Sequence, residues 1–218
     1  MIMRKLILKM SVSADGFVSG PNGEIDWIFR SADDAITTWI MDTLWQSGIH
    51  IMGSRTFHDM ASYWPTSDKP FADPMNEIPK VVFTRKGYLE PTTEELTTTA
   101  LRDARFYSDG LFNTTDILSI HAATWTHVTV ATGDLITEIN GMKEQDGKYI
   151  LAHGGAGFAQ NLIQAGLVDE YRLLVHPVIL GKGLPLFSKA IAPFDLKLES
   201  SISFKTGVIA NIYTPVKS

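Results

Sequence analysis

The first residues of the chain alternate as a buried strand does. Leu6, Leu8 and Met10 stand against Ile7 and Lys9, and Ser13-Ala14-Asp15-Gly16 closes the run with a turn. Ser19-Gly20-Pro21-Asn22-Gly23 is then dense in turn formers, and the apolar Trp27-Ile28-Phe29 behind it predicts a loop that folds back over a pocket. Over 33–47, Ile36, Trp39, Ile40 and Leu44 mark one helical face; Ser31 or Asp33 would cap its start and Gly48 would end it. A short apolar strand is expected over 49–52. Gly53-Ser54-Arg55-Thr56 leads from it into a second helix that breaks near Pro65, and 80–84 reads as the next strand.

From 86 to about 124 the chain carries many threonines and mixed charges with no firm period, which predicts an insertion with some helix between two core strands. Regular order returns with a strand over 127–131, a helix over about 134–144, a strand over 149–153 and a helix through Leu162 and Ile163. A strand over 170–178, a Gly181-Lys182-Gly183 turn, and two late strands over about 196–204 and 208–214 complete the pattern, the last two as a closing hairpin. Strands alternating with helices predict an α/β fold, and no repeat or linker divides residues 1–218 into more than one domain.

Composition narrows the partners. With 218 residues and 44% hydrophobic content the chain can bury one substantial core, and its net charge of −5 leaves no general field for nucleic acid. The absence of cysteine removes disulfides, thiolate nucleophiles and cysteine-held zinc, so redox chemistry needs a borrowed cofactor; it also fits a cytoplasmic protein. No run approaches the roughly 20 apolar residues of a membrane helix, and the amino terminus lacks the pattern of a secretory signal. The six histidines are far apart, and no metal is expected. A small-molecule substrate is the expectation.

The strongest chemical signal is Ile150-Leu151-Ala152-His153-Gly154-Gly155-Ala156-Gly157-Phe158, an apolar strand running through glycines straight into a helix. Such a junction can hold phosphate on the free N–H groups and positive dipole of the first helical turn. It can equally be a tight turn that packs a helix closely on a sheet. The spacing is not that of a dinucleotide fingerprint, because Gln160 stands where the third glycine would be. A second strand-to-helix junction at Gly53-Ser54-Arg55-Thr56 offers another anion site. A third strand ends in Thr84-Arg85-Lys86, two cations and a hydroxyl that suit a 2′-phosphate or an ordinary solvated loop.

Taken in order, these segments resemble the dihydrofolate-reductase-like family that includes the RibD C-terminal reductase domain of riboflavin biosynthesis. The residues that carry the resemblance are Ser13-Ala14-Asp15-Gly16, Glu24-Ile25-Asp26-Trp27, Met52-Gly53-Ser54-Arg55-Thr56-Phe57, Val82-Phe83-Thr84, the run from His153-Gly154-Gly155 to Val168-Asp169-Glu170, and Pro177-Val178-Ile179-Leu180-Gly181-Lys182-Gly183-Leu184-Pro185-Leu186-Phe187. The resemblance implies three layers: a central, mostly parallel sheet with a C-terminal antiparallel hairpin, and helices on both faces. It also implies NADPH across the strand ends and a substrate beside the nicotinamide, under the loop from 19 to 27. Val12, Trp27, Gly53, Thr56, Thr84, Gly154, Gly155, Ala156, Gly157 and Phe158 fall on its cofactor positions; Arg55 and Arg85 are added from charge alone. Ile25, Asp26 and Asp33 fall near its substrate. A homodimer is implied too, and apolar Ile179, Leu180 and Leu186 near a turn suggest its surface.

Two departures stand out. Riboflavin-pathway reductases typically carry an acid before the glycine pair, where this chain has His153, and basic residues after the loop, where it has Asp33-Asp34. An acidic pair there would repel a phosphorylated substrate. For proton delivery Asp15 and His153 rank ahead of Asp26, Asp33 and Asp34, although each also has an ordinary structural role open to it. The expected function is NADPH-dependent reduction of a pterin- or aminopyrimidine-like compound. Dihydrofolate reduction and a non-enzymatic nucleotide-binding role on the same fold are the alternatives.

Overall fold

Short apolar runs separated by polar turns pair into one eight-stranded sheet in a computed structural model that describes residues 3–87, 125 and 127–216. In chain order the elements begin with β1 (Leu6–Ser13), β2 (Phe17–Ser19), a 3-10 helix (Asp26–Ser31), α1 (Asp34–Trp45), β3 (Ser47–Gly53) and α2 (Ser54–Ala61). A second 3-10 turn (Trp64–Thr66), α3 (Ala72–Glu77), β4 (Lys80–Phe83) and β5 (Thr129–Ala131) follow. Then come α4 (Leu135–Lys143), β6 (Tyr149–Ala152), α5 (Ala156–Gln164), β7 (Glu170–His176), β8 (Leu184–Pro185), β9 (Leu196–Ser203) and β10 (Ile209–Pro215). The expected insertion over 86–124 lies, beyond Gly87, outside the described residues.

The sheet order is β5-β4-β3-β6-β1-β7-β10-β9. All pairings from β5 to β7 are parallel, and β10 closes antiparallel on β7 and on β9. The chain thus winds outward from β1 through β3 to β5, then returns to insert β6 beside β1 and lays β7 on the other side. Period-two alternation divides β1 between two cores. Leu6, Leu8 and Met10 pack with Ile139 of α4 and Ala159, Leu162 and Ile163 of α5. Ile7, Met52, Val82 and Leu151 face the other way, against Leu44 of α1, Phe57 of α2 and Met75 of α3. Lys9, two residues after Ile7, belongs to this second face.

Helix starts follow their caps. Asp33 accepts the Ile36 amide at 2.8 Å and begins α1; Asp134 accepts the Thr137 amide at 3.0 Å and begins α4. The first helix ends earlier than its periodicity predicts, because Ser47 and Gly48 are already in β3. Helix α3 was not among the expected elements; its Pro74 stands in the first turn, where its missing N–H costs nothing. Leu186 is fully buried, so it cannot serve the surface suggested for it, whereas Ile179 is 70% exposed. Within the Trp27-Ile28-Phe29 anchor only Trp27 is buried; Phe29 faces solvent. Among the described residues no helix is long and apolar enough to cross a membrane.

Acidic side chains tie the lower edge of the sheet together. Asp169 accepts the Leu6 amide at 2.8 Å and pairs with Lys143 at 2.6 Å. Glu170 pairs with Arg172 at 2.7 Å, both side chains about nine-tenths buried, and Arg172 also donates to Thr43 and Gln46 of α1 and its C-cap. Breaking a buried pair from one side leaves an uncompensated charge, so Glu170→Ala is expected to lower unfolding free energy by about 3 kcal/mol. Lys5 also reaches Glu170 but is half exposed, and Lys5→Ala is expected to cost less than about 1 kcal/mol. Urea unfolding of the two variants checks the contrast.

Candidate active site

The site is built where β6 parts from β1. The two strands pair only as far as Leu8 with Ala152, while β1 continues along β7 to Ser13 with His176. The cause is local: after His153, Gly154 and Gly155 take φ of 82° and 48°, turning the chain into α5. Positive φ disfavours a side chain at both, and a Cβ would also have to displace a neighbouring side chain. A Cβ on Gly154 would stand 2.6 Å from Met10 Sδ, and one on Gly155 would stand 2.7 Å from Thr56 Oγ1. The carboxyl edge of the sheet therefore carries a cleft at the point where strand order reverses, the usual ligand position in such sheets.

Two helix starts meet in this cleft. Both α2 and α5 are capped by glycines, Gly53 and Gly155, with no side-chain hydrogen bond to the first-turn amides. Thr56 of α2 lies against Gly155, and Gly53 lies against Phe158 of α5, so the first turns of the two helices are in contact. Phe158 also packs on Phe83 at the end of β4, ring centroids 5.1 Å apart, one residue before Thr84. Three of the predicted pieces, Gly53 with Thr56, Thr84, and the stretch Gly154, Gly155, Ala156, Gly157, Phe158, thus form one surface. Adjacent uncapped amides with glycines at closest approach fit a pyrophosphate. Val12 is buried on β1 in the core behind it; Arg55 and Arg85 are exposed at its rim.

Other predicted residues have structural partners. Asp15 accepts the Ser13 hydroxyl at 2.6 Å, the Gly181 amide at 2.8 Å and the Leu180 amide at 3.2 Å, stapling the turn after β1 to the turn before β8. The Ser13 hydroxyl first, then these amides, hold its carboxyl below the usual range, which is the wrong direction for a proton donor at neutral pH. Asp26 pairs with Arg30 at 2.6 Å in the open, Ile25 precedes that 3-10 turn, and Asp33 is the cap of α1. Trp27 is buried against the end of β7. Its indole meets His176 edge-on at 5.3 Å, and Ser31 shares a 2.7 Å hydrogen bond with His176 Nδ1.

On the α1 face of the same cleft the chain gathers, around the predicted His153, basic groups that sequence patterning did not single out. Lys9, partly buried on β1, has His153 just after β6 and His176 of β7 as its charge neighbours. Burial pushes its ammonium down to about 8. Burial first, then the charge of Lys9, pushes His153 down to about 3 and His176 to about 4, so both imidazoles are neutral. His50 meets His153 edge-on at 4.3 Å and is itself held neutral by burial. Lys80 backs this pair, donating to Asn76 and Ile78 carbonyls at the end of α3 and lying 4.4 Å over Trp125. The signal available in the sequence was a lysine in the middle of an apolar strand. A wide groove of about 990 Å³ elsewhere, lined by Met3, Arg4, Lys5 and Lys143, lies at the opposite edge of the sheet, and Lys143 there is already paired.

Comparison with known proteins agrees with this architecture. The Bacillus subtilis (strain 168) protein YyaP, itself uncharacterized, is 31% identical over 213 residues, which are 96% of this chain and 94% of YyaP. The Thermotoga maritima diaminohydroxyphosphoribosylaminopyrimidine deaminase/5-amino-6-(5-phosphoribosylamino)uracil reductase superposes with a TM-score of 0.65 at 17% identity, over 98% of this chain and 57% of that one. Dihydrofolate reductase from Enterococcus faecalis, solved with NADP(H), superposes with a TM-score of 0.55 at 10% identity over 98% and 97% of the two chains. The fold is therefore dihydrofolate-reductase-like. With the model of the RibD C-terminal domain matching residues 4–210, nearly the whole of the sheet and its cleft, the chain belongs to the RibD C-terminal domain family.

Proposed function

We propose that the chain is an NADPH-dependent reductase of a small heterocyclic compound of the aminopyrimidine or pterin kind, akin to the uracil reductase named for the Thermotoga relative. The observation that carries the reading is the contact of two glycine-capped helix starts beside a buried lysine. Gly53, Thr56, Gly154, Gly155, Ala156 and Gly157 would hold the pyrophosphate, with Phe158 as a wall. Thr84 and Arg85 would take the 2′-phosphate that separates NADPH from NADH. Bound there, the cofactor supplies hydride.

The chain's own part is to orient the acceptor and to supply the proton. Reduction of a C=O or C=N bond places hydride on carbon and moves the electron pair to the heteroatom, which must then take a proton. Among the described residues Lys9 is the cationic group that faces both His153 and His176, and its lowered proton affinity makes it a donor near neutral pH. Trp27 and the 3-10 turn over His176 exclude water from that end.

Oxidation of NADPH, followed at 340 nm over a panel of pyrimidine and pterin substrates, tests the activity; binding without turnover throughout the panel would leave a nucleotide-binding protein instead. For the cofactor site, calorimetry with NADPH should show Thr56→Val weakened about fivefold, the loss of one hydrogen bond of about 1 kcal/mol. Gly155→Val should lose binding altogether, with its folding checked by circular dichroism. Arg85→Ala should lower the preference for NADPH over NADH by roughly tenfold, as expected for one charge-assisted phosphate contact. Turnover should be highest where Lys9 is charged and should fall as pH rises through about 8, and Lys9→Met should flatten that limb while lowering the rate.

A further inference from the structure

We infer that His50, His153 and Lys80 form an acid-sensitive catch beneath residues 54–79, where proton uptake by the two rings favours release of that segment, α2 and α3 together, from the sheet. The release rests on packing alone. Its link to a bound dinucleotide rests on the cofactor reading, since Thr56 of α2 leaves with the segment.

Residues 54–79 are one continuous excursion between β3 and β4, which pair directly from His50 with Lys80 to Gly53 with Phe83. The excursion can therefore open without breaking a strand ladder, as a cooperative unit of its own. It covers the face that carries Met52, Val82 and Leu151, where Phe57 and Met75 hold it. His50 stands two residues before Met52 and so points to that face. It is fully buried, and neither ring nitrogen has a partner among the described residues. Its ring meets that of His153 at 4.3 Å and 72°, and His153 Nε2 is buried without a partner as well. Lys80, also buried, ties the excursion to β4 through its bonds to the Asn76 and Ile78 carbonyls.

The charges that act on these rings are basic: His153 and Lys80 on His50, Lys9 and Lys80 on His153. Among the described residues no carboxylate pairs with His50, His153 or Lys80. On the covering segments Asp34, Asp42, Asp68, Asp73 and Glu77 are exposed, as is Arg55; Lys69 is half-buried, and α2 also carries His58 and Asp59. Further along the sheet Arg172 is turned to Glu170, and His176 shares its bond with Ser31.

While the segment is closed both imidazoles stay neutral. Burial first, then the neighbouring bases, hold His50 well below its ordinary value and His153 near about 3. Released into water, each ring regains the ordinary value of about 6.5. The closed form is thus fully favoured above about 6.5 and loses ground as pH falls below it, because the open form takes up protons that the closed form refuses. Lys80, lowered to about 8, is charged throughout that window.

Hydrogen exchange on the whole chain, read by mass spectrometry and corrected for the intrinsic rate, decides the matter. Between pH 6.5 and 5.5 the opening constant over 54–79 should rise by about thirtyfold, roughly five- to sixfold from each ring, while the centres of β1 and β7 hold their protection. His50→Leu and His50→Gln each remove one titrating ring and should cut the rise to roughly five- to sixfold. A rise below about tenfold in the parent, an equal loss of protection in β1 and β7, or variants that respond as the parent does overturns the inference; the parent's response decides alone if neither variant folds. NADP at about a hundred times its Kd should suppress opening over 54–79 roughly a hundredfold, because it holds Thr56 against the sheet. An acid response that persists while NADP binds nowhere, or binds without protecting this segment, leaves the catch standing and removes the cofactor reading at α2.

Discussion

Two consecutive glycines with positive φ decide the geometry on which the rest of this molecule depends. Gly154 and Gly155 turn the chain out of β6 immediately after His153, and each is held to glycine by its φ, with Met10 and Thr56 packed close by. Had β6 run on beside β1, the sheet would have been continuous, its carboxyl edge closed, and Lys9 buried against a neighbouring strand. The parting of the strands makes the cleft, frees the amides at the start of α5, and puts them against α2. One backbone event thus produces both halves of the site.

The two halves face opposite sides of the sheet because strand residues alternate. Met10, under the glycine turn, belongs to the core of α4 and α5; Lys9 and His153 belong to the side of α1. His153 is where they join, its backbone leading into the glycines and its ring beside Lys9. Placing Lys9, His50, Lys80 and His153 beneath helices is unfavourable for stability, and the chain limits the cost by keeping the imidazoles neutral and by capping Lys80 with the last carbonyls of α3. Among the described residues Lys9 has no such relief. A group left so poorly compensated, at the bottom of a cleft, is where functional chemistry is expected rather than where packing alone would put a lysine.

Most of the frame was legible in the sequence because it rests on periodicity and on punctuation by glycine and proline. The strands over β1, β3, β4 and β6, the helices α1, α2, α4 and α5, and the antiparallel pair β9 and β10 all stand within a few residues of expectation. Strands β2 and β8 escaped because two or three residues are too few to show alternation, and they exist through pairing across the chain. The glycine turn was readable since its residues are adjacent. The basic cluster was legible only in His153: Lys9, His50, Lys80 and His176 are single residues on four strands, joined to it only once the sheet order is known. Asp15 was misleading for the reverse reason. An acid beside a cleft reads as chemistry until its three donors are seen.

The acids of this chain and its bases have been given separate tasks. Asp15, Asp33, Asp134, Asp169 and Glu170 cap helices, staple turns or pair with buried cations at the sheet's lower edge, and Glu24 closes the small loop at Gly20 by accepting from Asn22. Used in this way they give a net charge of −5 overall while leaving the cleft basic. At physiological ionic strength charges more than about 8 Å apart are largely screened, so the acidic exterior has little say over what enters. Within the cleft a ligand would instead meet one partly desolvated ammonium and two neutral imidazoles, whose Nε2 atoms have no partner among the described residues. Selection by short-range complementarity of that kind requires the parted strands to keep their place. The turn at Gly154 and Gly155, set by its positive φ, is what parts them.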